Sequence, residues 1–95
     1  MDKAKAGPRE DNMKIMVHVL DKTIVVSCGT GSQRMQWLGH VGIARYDEEH
    51  LQGWLQLGKP AKITSSAGVP FQANDVICEV LQDKDHVYVE PTRQP

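Results

Sequence analysis

The sequence predicts an α+β fold in which one main helix packs on one face of a mixed four- to five-stranded sheet. Three observations predict it. Apolar residues alternate at period two from Lys14 onward, a helical spacing replaces that alternation between Gln33 and Glu49, and β-branched runs return near the end. Period two sends successive side chains to opposite faces of a strand, whereas steps of three and four return to one face of a helix.

Ile15, Val17 and Val19 alternate with Lys14, Met16 and His18, the signature of a half-buried strand. A β-branched run from Thr23 to Cys28 follows, and the Asp21-Lys22 pair between them fits a tight hairpin turn that lacks the usual glycine. Gly29-Thr30-Gly31-Ser32 then breaks the strand and offers Thr30 or Ser32 as a helix N-cap. Within the helix, Trp37, Leu38, Val41 and Ala44 share one stripe, with Trp37 and Leu38 as the expected core anchors. Gly39 and Gly42 each cost that helix ~1 kcal/mol relative to Ala, and they leave room for another backbone to approach.

Trp54, Leu55 and Leu57 are apolar before Gly58-Lys59-Pro60 interrupts. Ala61 to Ser65 reads as a short strand turned at Ala67-Gly68, and Pro60 and Pro70 argue against a central strand across their own positions. Val76 to Leu81 and His86 to Val89 read as the last two strands, joined by the polar turn Gln82-Asp83-Lys84-Asp85. Residues 1–12, polar and without periodicity, read as a disordered leader, residues 13–90 as the folded domain and residues 91–95 as a flexible tail. A hairpin, a helix crossing the sheet and further strands make the β-grasp pattern of ubiquitin-like domains.

Composition narrows the function classes. The chain has 95 residues, room for one domain, and 40% of them are hydrophobic and 24% charged, the balance of a soluble globular protein. A net charge of −1 supplies no one-signed field for nucleic acid or an anionic membrane, so neither is an expected partner. No apolar run approaches the ~18 residues a membrane span needs, and the leader lacks the apolar core of a secretory signal. A cytoplasmic location is the expectation.

The chemistry-bearing residues form no catalytic pattern. His18, His40, His50 and His86 fall on four different elements without H-x-x-x-H spacing, so no metal site is expected. Cys28 and Cys78 each sit in an apolar run, which suits buried free thiols and leaves a disulfide open. The glycine-rich stretch before the helix lacks both the Gly-Lys-Ser/Thr ending and the G-x-G-x-x-G spacing of phosphate loops. No nucleophile, base and orienting acid are marked as a triad, and the expectation is a non-catalytic chain without cofactor or small-molecule substrate. Charge does separate along the chain: Lys14 and Lys22 lie on the opening hairpin, while Asp75, Glu79, Asp83 and Asp85 cluster between Asn74 and His86.

Three stretches carry a resemblance. They are Met13-Lys14-Ile15 through Ile24-Val25-Val26-Ser27-Cys28-Gly29, then Trp37-Leu38-Gly39 with Arg45-Tyr46, and Asn74-Asp75-Val76-Ile77-Cys78-Glu79-Val80 with Asp83-Lys84-Asp85 behind it. In this order they resemble the ubiquitin-like N-terminal domain shared by the partitioning-defective polarity scaffold and histidine ammonia-lyase. The resemblance implies a β-grasp module whose scaffold members self-associate head to tail, a basic hairpin surface meeting an acidic one. Carried over, Lys14 and Lys22 form the basic side and Asp75, Glu79, Asp83 and Asp85 the acidic side. Asp21 stands where the scaffold has an arginine, and Gln72 and Asn74 where its loop is acidic, so complementarity is reduced. The lyase resemblance implies no enzymatic activity for a chain of this length.

Two functional expectations follow. One is an interaction module that associates with itself through these charged surfaces. The other is a monomeric adaptor that binds a different protein through an edge or an apolar surface such as Trp54, Leu55 and Leu57.

Overall fold

The structure, a computed structural model, describes residues 12–94. The expected leader lies outside the described residues except for Asn12. Four strands form a single mixed sheet: β1 (Lys14–Val19), β2 (Lys22–Ser27), β3 (Pro60–Ser65) and β4 (His86–Pro91). Their spatial order is β2-β1-β4-β3, with β1 parallel to β4 and the two outer pairs antiparallel. The helix α1 (Met35–Arg45) crosses one face, and two one-turn helices, α2 (Trp54–Leu57) and α3 (Ile77–Val80), fill the connections. The α+β grasp-like architecture expected from the sequence is the one observed.

Alternation along the strands decides which face is dry. Ile15, Val17, Val19, Val26, Ile63, Val87 and Val89 turn toward α1 and are buried there with Met35, Leu38 and Ile43. The buried side of α1 is Met35, Leu38, Gly39, Gly42 and Ile43, the i, i+3, i+4, i+7, i+8 spacing of one helical face. This corrects the expected stripe by about one residue. Leu38 is a core anchor, but Trp37 lies at the surface, 37% exposed. The glycines are the reason: a Cβ on Gly39 would stand 2.7 Å from Ile63 Cδ1, and one on Gly42 2.7 Å from Val17 Cγ1. The helix rests on sheet side chains at these points.

Other boundaries also moved for identifiable causes. The hairpin turn is Leu20-Asp21, one residue earlier than expected, with Leu20 at φ 55° in the left-handed region. Neither Thr30 nor Ser32 caps α1. Its N-cap is Arg34, and the Met35 and Gln36 N–H groups donate to the carbonyls of Asp75 and Ala73 at 2.8 and 3.0 Å. A neighbouring segment satisfies the free donors of the first turn.

Residues 77–80 form α3, not the expected strand. Ile77 and Leu81 are buried while Cys78, Glu79 and Val80 are exposed, a helical and not an alternating pattern. The Ile77 and Cys78 N–H groups donate to Gln33 and Gly31 carbonyls, which docks the turn beside the start of α1. Gly31 has φ 78° and no room for a side chain, because a Cβ would meet Cys78 Cβ and Met13 Sδ at 2.8 Å. At the other end, β4 continues through Pro91, and the Thr92 and Arg93 N–H groups bond to the carbonyls of Lys59 and Leu57. Pairing therefore extends into the residues expected as tail.

Candidate protein-interaction site

The two ends of the sheet differ in charge because the topology collects different segments there. β1 and β4 run parallel, so the start of β1, the turn before β4, α3 and the start of α1 share one end. The hairpin turn and the end of α1 share the other, where Lys22 Nζ reaches the Tyr46 carbonyl at 2.9 Å.

Asp75, Glu79, Asp83 and Asp85 stand at the first end. Three of these carboxylates also shape the backbone. Asp75 accepts from the Gln72 N–H at 2.8 Å, Asp85 from the Gln82 N–H at 2.9 Å and Asp83 from the Lys14 N–H at 2.8 Å. Each binds through one carboxylate oxygen, and Glu79 is exposed on α3. Lys14 stands at this same end, with its carbonyl accepting from the Lys84 N–H at 2.6 Å. It is paired across the hairpin with Ser27, whereas Lys22 is paired with Val19. The two candidate cations thus lie at opposite ends of β1 and β2.

Lys22 occupies the second end with Arg45. Its ammonium is 3.5 Å from Glu48 and 4.7 Å from the centre of the Tyr46 ring, so part of its charge is used internally. Arg45, in the last turn of α1, is exposed and donates from Nη1 to the Val25 carbonyl at 3.4 Å. The charge separation along the sequence does not point to Arg45, because its place beside β2 depends on the helix crossing.

A histidine pair is the second feature that spacing does not predict. His18 Nε2 and His86 Nδ1 lie 2.8 Å apart on the sheet face opposite α1. The ring centres are 5.1 Å apart, close to the nitrogen separation plus a ring radius on either side, so the rings meet edge to edge, and the tautomers set which nitrogen donates. Tyr88 stacks on His18 at 4.4 Å, and Thr23 Oγ1 lies 3.1 Å from His18 Nδ1. Burial, and then the charge of His86, hold His18 below the usual histidine range. The expected scatter of four separate histidines is corrected for these two, because parallel pairing sets Met16 opposite His86 and His18 opposite Tyr88.

The cysteines are both free, Cys28 buried and Cys78 exposed on α3, which answers the question the spacing left open and corrects the expectation for Cys78. Trp54 and Leu55 are exposed on α2, whereas Leu57 is buried in the core. No helix among the described residues is long and apolar enough to cross a membrane.

Comparison with known proteins bears on this arrangement. The family model described as the N-terminal of Par3 and HAL proteins matches residues 13–90. The chain belongs to that family. The match spans the hairpin, the crossing helix, the edge strand β3 and β4 to its penultimate residue. Membership in the Par3 and HAL N-terminal family points to an interaction or oligomerisation module. No curated protein matches the chain.

Proposed function

We propose that the chain is a non-catalytic, cytoplasmic interaction module that associates head to tail with copies of itself, as a polarity scaffold does. The basic end of one copy meets the acidic end of the next. One observation carries the reading: Lys22 and Arg45 stand at the opposite end of the sheet from Asp75, Glu79, Asp83 and Asp85. Unlike ends on one molecule make a heterologous contact, and a heterologous contact that does not close builds open chains. Lys14 contributes least to this contact, since it stands beside the acids.

Sedimentation velocity over a wide concentration range, at low and high salt, tests the proposal. The expected outcome is growth in size with concentration that salt suppresses, because charges in contact through water are screened within about 10 Å at 0.1 M salt. A monomer at every concentration and salt would overturn it. The second reading, an adaptor for a different protein, is favoured by a separate observation, the open edge of β2.

A further inference from the structure

We propose that the free edge of β2, with the groove beside it, receives an extended, acid-flanked peptide of another protein as an added strand. This deepens the adaptor reading and rests on it, and it does not require self-association.

The direction of each backbone group follows from the ladder. The Met16 N–H donates to the Asp85 carbonyl at 2.9 Å and the Lys14 carbonyl accepts from Lys84, so Lys14 and Met16 turn their backbone groups toward β4. Alternation then assigns Ile15, Val17 and Val19 to the bonds with Val26, Ile24 and Lys22. The N–H and C=O groups of Thr23, Val25 and Ser27 are left pointing out of the sheet. Arg45 agrees, because the carbonyl it reaches is that of Val25.

The opposite edge offers no equivalent. On β3, the Ser65 N–H donates to Val69 and the Ile63 carbonyl accepts from Phe71, at 2.9 and 2.8 Å, and Pro60 has no N–H. β2 contains no proline, and its only lysine stands at its first residue.

The groove supplies the chemistry. It has a volume of about 450 Å³ and is lined by Lys22, Thr23, Ile24, Arg45, Glu48 and Leu51. Ile24 and Leu51 give it an aliphatic interior. Lys22 is drawn to Glu48, which leaves Arg45 as the wall cation without a carboxylate partner among the described residues. A strand added to β2 turns alternate side chains toward this groove, so an aliphatic residue fits over Ile24 and Leu51 while an adjoining acid reaches Arg45. The incoming N–H takes the Val25 carbonyl. Arg45 then exchanges a long bond to a neutral oxygen for a charge-assisted one to the peptide carboxylate.

A second copy of this chain suits the site less well. Its acidic segment is folded into α3 and turns, with Asp75 and Asp85 bonded to the Gln72 and Gln82 N–H groups. Pairing two β2 edges antiparallel would set Arg45 of each copy along one seam, like charge against like.

The probe is an acetylated, amidated peptide Asp-Asp-Val-Ile-Thr-Val-Glu-Glu, with a control carrying Lys for each acid, titrated into the full chain and followed by amide NMR. The expected result is shifts confined to residues 22–27 and 45–51 and amide exchange at Thr23, Val25 and Ser27 slowed about tenfold or more. Arg45→Glu and, separately, Val25→Pro should each weaken binding about tenfold or more. Proline at position 25 removes an outward N–H and leaves the bonds to β1. The Lys peptide should not bind. Absence of binding at millimolar peptide, shifts on another face, or indifference to both variants would each overturn the proposal. So would slow exchange at those three amides without peptide: independent of concentration it means another part of the chain holds the edge, and rising with concentration it means a second copy does. Salt-suppressed self-association is measured without the peptide, so either proposal can fail alone.

Discussion

At the scale of single residues, environment separates side chains of one type. Cys28 is 1% exposed and burial pushes its thiol up to about 11, while Cys78 is exposed on α3. A thiol reagent at neutral pH is therefore expected to modify one cysteine quickly in the native chain and both in urea, since only an accessible thiolate reacts. Two fast native equivalents would contradict the burial of Cys28. The raised value also has a sign in stability. The folded state keeps its proton longer, so the contribution is intact below the ordinary value of about 9.0 and is lost as pH rises through about 11. Cys28→Ser should alter that alkaline decline.

Among the elements, α1 shows how packing overrides propensity. Gly42→Ala removes a helix penalty of ~1 kcal/mol, yet the new methyl group must displace Val17 from 2.7 Å. Overpacking of that kind costs about 1–3 kcal/mol, and the expected net effect is a lower urea midpoint. A higher midpoint would mean that β1 yields easily.

The outer face of the sheet makes an element-scale prediction of opposite pH sense. His18 and His86 face each other through nitrogens 2.8 Å apart, one of which must accept, so a proton on both would set two donors against each other. Besides Tyr88, which stacks on His18, the charged groups on this face are Lys14 on β1, Glu90 on β4 and its partner Lys62 on β3, with Lys84 and Asp85 in the turn before His86. Because the folded value of His18 is depressed, its contribution is present above the unfolded value of about 6.5 and is lost as pH falls through the lower folded value. The urea midpoint should decline on that side, and His86→Gln should flatten the decline. An unchanged profile in the variant would remove the pair as its cause.

For the whole molecule, the deciding property is that its two ends carry different charge. Lys22→Glu and Asp75→Lys should each prevent the growth in size described above. Mixed together, they should form capped pairs and nothing longer, because each retains one good surface. Separately assembled, salt-sensitive chains from both variants would place the contact elsewhere. The β2 edge shares Lys22 and Arg45 with this basic end, but its peptide contact runs along one strand and not from end to end.

Much of this was legible in the sequence. Strict alternation at Ile15, Val17 and Val19, and again at Val87 and Val89, determined two central strands and which of their faces is buried. Pro60, which cannot donate to a ladder, argued against a central strand at its own position, and β3 does lie at the edge; the order of stretches was enough for the family resemblance. The buried stripe of α1 was hidden because two of its five members are glycines, which carry no apolar signal. α3 was hidden because its apolar residues also suit a strand, and only docking against Gln33 and Gly31 selects the helix. Tertiary structure alone decided that His18 meets His86, that Lys14 stands with the acids and that Arg45 stands over the β2 edge. Those pairings join residues twenty to sixty-nine positions apart. Local pattern reports which side of an element is dry, but the crossing helix and the parallel β1–β4 pair determine which distant side chains share a surface.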